Sequence, residues 1–423
     1  MLPKGWSEYL LGEIATFRNG LNFTKSDAGE TVKIVGVADF KGRSKLENFD
    51  KLESIKVASK VRESDFLESG DILFVRSNGN KELIGRCLYF PYVSDQLSFS
   101  GFTIRGRVNT SVIESEFASY LMRSKFVTDQ IFLGGSGTNI SNLSQEILSN
   151  IEVKIPGLVE QRRIAKILST WDQTIAITEQ LIANSLRQKK MLAQRMLTGK
   201  VRLQGFSTSV IRRETPYGSL PEDWAYLRIE EVAVEVSQKL GDVAPYPVLS
   251  CTKHHGLVDS LNYFNKQVFS LDTSTYKVVP QGCFVYATNH IDEGSIGYQN
   301  LYDFGLVSPM YTSFRTNDEV LDSYLFALFK TEHYRQIFAS ATNASVDRRG
   351  SLRWKDFRKL HIPVPSIDEQ KAIASVLKLA DRDADLMQRK LDLLRKEKSA
   401  LMTQLLTGKR RVHLSDSETV VSA

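Results

Sequence analysis

Along two stretches of the chain, apolar residues recur at alternating steps of four and three. The first set is Ile164, Leu168, Trp171, Ile175, Thr178, Ile182, Ser185, Lys189, Leu192 and Met196. The second is Ile373, Leu377, Ala380, Ala384, Met387, Leu391, Leu394, Lys398, Leu401 and Leu405. This spacing is that of a coiled-coil seam, so it predicts two long amphipathic helices. A seam left in water is unfavourable, so the two helices are expected to pack on each other. Pro156 and Pro365 stand just upstream, where proline does no harm. Ser366 with Glu369 reads as an S-x-x-E capping box, and Gly157 and Glu160 hold those places in the first helix. Gly199 and Gly408 supply the left-handed residue that ends a helix. About 41 residues lie between these ends, a length of roughly 60 Å at 1.5 Å per residue. Lys189 and Lys398 interrupt both seams. The plain reading is that they snorkel or set register, and the sharper one is a phosphate contact.

The two stretches are copies. Residues 155–203 align without a gap to 364–412 at an offset of 364 − 155 = 209, with 14 identities in 49 positions. Pro156/Pro365, Glu160/Glu369, Gln161/Gln370, Asp172/Asp381 and the closing Thr-Gly-Lys are among them. A fixed period means duplicated units. The segments between the helices repeat more loosely. Leu2-Pro3-Lys4-Gly5-Trp6 matches Leu220-Pro221-Glu222-Asp223-Trp224, and each is followed by a short amphipathic stretch (10–15 and 228–233). Strand candidates follow at 33–40 and 246–252, then β-rich runs behind a glycine turn at Gly70–Val75 and Gly282–Ala287, then Ile84-Gly85 and Ile296-Gly297. A short helix with Tyr120-Leu121 is set against one with Tyr324-Leu325, and alternating runs at 151–156 and 360–365 close each segment.

The expected organisation is α+β. Two mixed α/β domains are separated by two long helices in a pseudo-twofold repeat. Residues 1–154 form the first domain, 155–203 the first helix, 204–363 a linker (204–219) with the second domain, 364–412 the second helix and 413–423 a flexible polar tail. The frameworks match while the loops differ: 76–86 against 287–297, and 134–142 against 343–353. A repeated scaffold with unlike loops predicts two binding sites of one kind with different targets.

Composition narrows the class. The 423 residues are 42% hydrophobic and 25% charged, ordinary for a globular protein. No apolar run is long enough to span a membrane and no signal peptide is visible, which predicts a cytoplasmic location. Cys87, Cys251 and Cys283 are odd in number and lack zinc-ligand spacing, as fits a reducing compartment. The net charge of +6 is compatible with a nucleic-acid partner.

The duplicated order of L-P-x-x-W openings, G-D-I-L-F run, P-x-x-x-E-Q helix entries and L-T-G-K exits resembles the specificity subunit of type I restriction-modification systems, over nearly the whole chain. The resemblance implies that each globular half is a target-recognition domain reading one half of a bipartite, asymmetric site in double-stranded DNA. The helices would form an antiparallel pair that spaces these domains and docks two modification subunits. S-adenosylmethionine would bind in those subunits, and ATP and Mg²⁺ would serve two restriction subunits. This chain would be the reader, with no cofactor or metal of its own.

A search for catalytic motifs agrees. Gly135-Ser136-Gly137 lacks the third glycine of a dinucleotide loop, and Gly199-Lys200 and Gly408-Lys409 are not followed by the serine or threonine of a phosphate loop. H-E-x-x-H, G-x-S-x-G and the Asn/Asp-Pro-Pro-Tyr motif of amino-methyltransferases are missing. Glu152-Val153-Lys154 imitates part of a nuclease site but lies in an alternating strand. His254-His255 reads as a loop contacting DNA, a metal ligand pair, or an exposed pair. Base reading needs arginine for guanine and amides for adenine on exposed loops. The candidates are Arg43, Lys45, Arg76, Ser77, Asn78, Asn80, Lys81, Asn139 and Asn142 in the first domain. In the second they are Lys253, His254, His255, Asn289, His290, Asn343, Arg348, Arg349 and Arg353. Each is weighed against a plain solvated loop residue. The rival functions are a self-sufficient methyltransferase or nuclease, and a two-lobed protein-binding scaffold.

Overall fold

The computed structural model describes residues 2–23, 29–57, 61–134, 142–206, 211–239, 246–342 and 350–413. They fall into two compact units, one of Met1–Glu179 with Lys390–Ala423 and one of Gln180–Arg389. Both boundaries cut a long helix, so each unit joins a globular domain to one part of each helix. The helices are Leu158–Leu197, 40 residues, and Ile367–Leu405, 39 residues. Gly199 and Gly408 end them at φ +62° and +68°.

Every position of the two seams is buried or half-buried. Ile164, Leu168, Ile373, Leu377, Leu391 and Leu405 are each at most 5% exposed, and Trp171, Ile175, Ile182, Leu192, Met387, Leu394 and Leu401 are half-buried. Thr178 tolerates its place because its hydroxyl donates to the Thr174 carbonyl at 2.7 Å. Within each unit the helix segments run antiparallel. In the first, Glu160 meets Arg411, Asp172 meets Lys398 and Glu179 meets Arg395. In the second, Glu369 meets Arg202 and Asp381 meets Lys189. Lys189 and Lys398 are therefore ion-paired across the helices.

The globular domains share a plan. In the first unit a four-stranded antiparallel sheet runs in the order 15–19, 103–108, 72–75, 87–89; in the second the order is 233–235, 311–316, 284–287, 296–298. A separate pair of strands joins the opening of each segment to its close: Trp6–Leu10 with Glu152–Pro156, and Ala225–Arg228 with His361–Val364. Each main core is completed by helix residues, Ile164, Leu168 and Leu405 in the first unit and Met196, Ile373 and Leu377 in the second. The three-stranded sheets differ: 53–57, 30–35 and 97–99 against 238–239, 277–280 and 304–307.

Four sequence expectations need correction. The strand expected over 33–40 ends at Val35, because the Asp39 carboxylate accepts from Gly36 N at 2.9 Å and winds Val37–Phe40 into a short turn. Part of the linker 204–219 is a hairpin, Arg212–Thr215 with Gly218–Pro221, turned at Pro216-Tyr217 and tied down by Arg212 Nη1 on the Gly199 carbonyl at 2.7 Å. The capping box forms only in part: Ser366 Oγ accepts from Glu369 N at 3.3 Å, but the Glu369 carboxylate turns to Arg202. The short helices Ser115–Met122 and Asp322–Phe329 are counterparts, yet their phase is set by residue before, where Gln161 Oε1 accepts from Glu114 N and Gln370 Oε1 from Leu321 N. The offset there is 321 − 114 = 207, so Tyr324 answers Phe117 and Tyr120 answers Ala327. The tail 414–423 lies outside the described residues.

Candidate nucleic-acid interface

In the first unit Arg76, Ser77, Asn78, Asn80 and Lys81 lie on the loop leaving strand Ile72–Val75 of the four-stranded sheet, and Arg43 and Lys45 lie apart from it. The segment after strand Ile72–Val75 is a chain of local turns. Asn78 Oδ1 accepts from Asn80 N at 2.8 Å, and Asn80 Oδ1 accepts from Glu82 N at 3.1 Å. Both amides thereby spend their oxygen on shape and keep an NH₂ group for a ligand. Arg76 is half-buried, and its Nη1 donates to the Gly101 carbonyl at 3.2 Å, so it braces the loop. Leu143 N donates to the Arg76 carbonyl at 2.8 Å, which sets exposed Asn142 beside this loop. Ser77 and Asn78 line a cleft of about 680 Å³ with Phe23, Lys51 and Phe102. Arg43 belongs to another cleft, of about 440 Å³, with Arg86 and Arg123. Lys45 is exposed and pairs with Glu47 at 3.0 Å, and Lys81 is exposed. Asn139 lies outside the described residues.

In the second unit three loops meet. The turn Lys253-His254-His255 joins strands Leu249–Thr252 and Gly256–Asp259. Asn289 and His290 lie in the loop after Phe284–Ala287, and Arg353 stands immediately before the helix Trp354–Phe357. Lys330 binds two of these loops together: its Nζ donates to the carbonyls of Lys253 at 3.2 Å and Gly294 at 2.8 Å. Burial pushes the Lys330 pKa down. Leu352 N donates to the Thr288 carbonyl at 2.8 Å, the counterpart of Leu143 and Arg76 in the first unit. His255 Nδ1 lies 3.0 Å from the Tyr263 hydroxyl, and His290 Nδ1 lies 3.3 Å from Glu293. Asn343, Arg348 and Arg349 lie outside the described residues. No group of three His, Cys, Asp or Glu among the described residues is placed to hold a metal ion. Lys154 of the Glu-Val-Lys triplet pairs with Glu8 at 3.2 Å across the strand pair.

Sequence reasoning passed over Phe102, which is 64% exposed between strands and faces the Ser77–Asn78 cleft. Its ring is apolar surface of the kind that meets a thymine methyl. A bulky aromatic directly behind Gly101 at a turn was the available signal. Arg86 and Arg123 were also missed, because only the fold brings them to Arg43.

Comparison with known proteins places these features. Residues 3–185 and 221–396 each match the family model described as the type I restriction modification DNA specificity domain. A putative type I restriction enzyme MjaX specificity subunit from Methanocaldococcus jannaschii is 26% identical, over 97% of this chain and 95% of the relative. The EcoKI specificity subunit from Escherichia coli K12 is 21% identical, over 92% of this chain and 85% of the relative. The crystal structure of an HsdS subunit from Thermoanaerobacter tengcongensis superposes with a TM-score of 0.53 at 19% identity, covering 97% of this chain and 98% of that one. A chain from a study of type I restriction-modification complex assembly gives 0.61, also at 19% identity, covering 96% and 98%.

Proposed function

This chain belongs to the type I restriction modification DNA specificity family, and from that premise we propose that each of its globular domains reads one half of a bipartite, asymmetric DNA site. The observation that carries the reading is a repeated loop platform with unlike side chains. Leu143 on Arg76 and Leu352 on Thr288 hold the same two loops in the same place. What those loops offer differs: Ser77, Asn78 and Phe102 in one domain, and Lys253, His254, His255 and His290 in the other. Phosphate contacts fix register, and such side chains specify bases.

The chain is the non-catalytic reader of its system. Methylation at adenine, with S-adenosylmethionine, is the work of two modification subunits, and two restriction subunits add ATP- and Mg²⁺-dependent cleavage. The helices space the two domains and offer the docking surface. In support, large apolar side chains stand exposed off the seam: Ile177 and Leu393 in the first unit, and Leu181, Leu186, Met191, Leu379 and Leu386 in the second. Leu379 and Leu386 stand seven residues apart and so share one helix face, and a continuous apolar face of this kind marks a protein interface.

The test is to exchange residues 204–363 for the matching segment of a relative, assemble the full complex in cells and sequence the methylated adenines. One half of the target is expected to change while the other stays. A change in both halves, or in neither, overturns the two-reader assignment. A self-sufficient enzyme would methylate or cut as the purified chain alone, and a protein scaffold would bind DNA without a steep salt dependence.

A further inference from the structure

In the second unit, a cleft of about 890 Å³ opens between the long helices and the helix Asp322–Phe329, and the turn Lys253–His255 forms part of its wall. Lys189, Lys190, Lys253, Lys330, Lys371 and Lys378 line it, against two acids, Glu332 and Asp381. Both acids are ion-paired, Glu332 with Arg335 and Asp381 with Lys189, and the Lys190 charge adds only a longer-range pull on Glu332. Lys371 pairs with Asp368 at 3.3 Å, and Lys330 is held by two carbonyls. Lys190, Lys253 and Lys378 are exposed and have no ion pair among the described residues.

The first unit has the corresponding cleft, and its exposed cations are ion-paired. Its Lys398 answers Lys189 (398 − 189 = 209) and its Arg123 answers Lys330 (330 − 123 = 207). There Lys125 pairs with Asp129 at 2.8 Å, Arg395 with Glu179 at 2.6 Å and Lys398 with Asp172 at 2.5 Å. Arg123 lies over the Tyr120 ring, 4.6 Å from its centroid, with Nε on the Ser119 carbonyl. The scaffold is repeated, but exposed cations without an ion pair among the described residues line only the second cleft.

We propose that the cleft of the second unit holds the phosphate backbone of duplex DNA, with Lys190 and Lys378 as sequence-independent contacts beside the turn Lys253–His255 that reads its half-site. This rests on the DNA-reading assignment and adds to it a backbone site outside the reading loops. The turn Lys253–His255 is continuous with the cleft wall. A turn that meets base edges brings the flanking phosphates next to it, where free ammonium groups take up the charge. Lysine suits this task as a flexible point charge with no demand on base geometry.

The experiment uses the chain assembled with its modification subunits, and follows target-duplex affinity from low to moderate salt. Each phosphate contact contributes about 0.9 to the slope of log K against log salt, so K190Q/K378Q is expected to make the slope shallower by about 2. Its ranking of single-base mismatches in both half-sites is expected to match that of the unaltered complex. The control K239Q/K266Q, on exposed lysines of the same unit outside the cleft, is expected to keep the slope. An unchanged slope in K190Q/K378Q, or an equal fall in the control, overturns the proposal. So does loss of assembly with the modification subunits at an unchanged slope, which would make the cleft a protein dock. Failure of the reading assignment is visible separately, as an unaltered complex that does not prefer its target over a scrambled duplex.

Discussion

Arg411 grips Glu160, 251 residues earlier in the chain, through Nε and Nη2, both at 2.7 Å. The same fork recurs where Arg202 grips Glu369, at 2.5 and 2.7 Å. The copies are not equal in strength. Arg202 is 10% exposed and also binds Asp223, whereas Arg411 is 43% exposed and binds the Lys4 carbonyl instead. Burial works against the Arg202 charge, but the Asp223 and Glu369 carboxylates outweigh it and raise its pKa.

Arg202→Met leaves the Glu369 carboxylate buried without its counter-charge. We expect a loss of about 3–5 kcal/mol in the stability of the second unit, read by chemical denaturation. Arg411→Met also strands a buried carboxylate, Glu160 at 5% exposure, but solvent reaches it from the side of the 43% exposed arginine, so the expected cost is smaller, about 1–3 kcal/mol. Equal losses would show that burial does not set the difference.

The two opening tryptophans give a second contrast. Trp224 Nε1 donates to Glu369 at 3.1 Å, while Trp6 Nε1 is buried with no partner among the described residues. Trp224→Phe and Trp6→Phe remove similar volume, so the hydrogen bond decides between them. Trp224→Phe is expected to be the more costly by about 1–2 kcal/mol, measured by thermal unfolding.

At Gly408 the backbone is left-handed, and a methyl group would come within 2.6 Å of Pro3 Cγ. Gly408→Ala adds conformational strain of about 1–2 kcal/mol to that overlap. The mutant is expected to melt several degrees lower, and Gly408→Asn, which tolerates the left-handed region, to lose more to overlap than it regains in strain.

Leu391 and Leu393 stand two residues apart and serve different ends. Leu391 is 4% exposed in the seam and Leu393 is 58% exposed off it. Leu391→Asp buries an unpaired carboxylate and is expected to cost several kcal/mol. Leu393→Asp is expected to keep the melting temperature and to weaken retention of a modification subunit on size-exclusion chromatography. Normal stability in Leu391→Asp would show the seam to be misassigned.

Much of this was legible because it is local. A period of four and three, a proline before a helix and a glycine after it are set by neighbouring residues, and the helices begin and end within a few residues of those marks. Glu160 and Glu369 were not legible. Both stand where a capping box calls for glutamate, but arginines far along the chain claim the carboxylates. Pairing Tyr120 with Tyr324 failed for a related reason. Identity of side chain suggested the match, whereas the caps made by Gln161 and Gln370 fix the phase one turn away. The reading loops were legible as loops only. That Arg76 braces Gly101 instead of facing outward depends on a contact between strands that no spacing reveals.

Pro3 and Trp6 fit beneath Gly408 as Pro221 and Trp224 fit beneath Gly199. Every opening therefore accepts the exit of the other copy, and the two seats are interchangeable. A half-length gene encoding one domain with one helix carries one opening and one exit, and two of its products can satisfy each other as the halves of this chain do. Sedimentation of such a product is expected to show a dimer, with a monomer as the contrary result. Two identical readers would then demand a palindrome, so the asymmetry of the target is a property of having duplicated the gene and let the two copies drift apart.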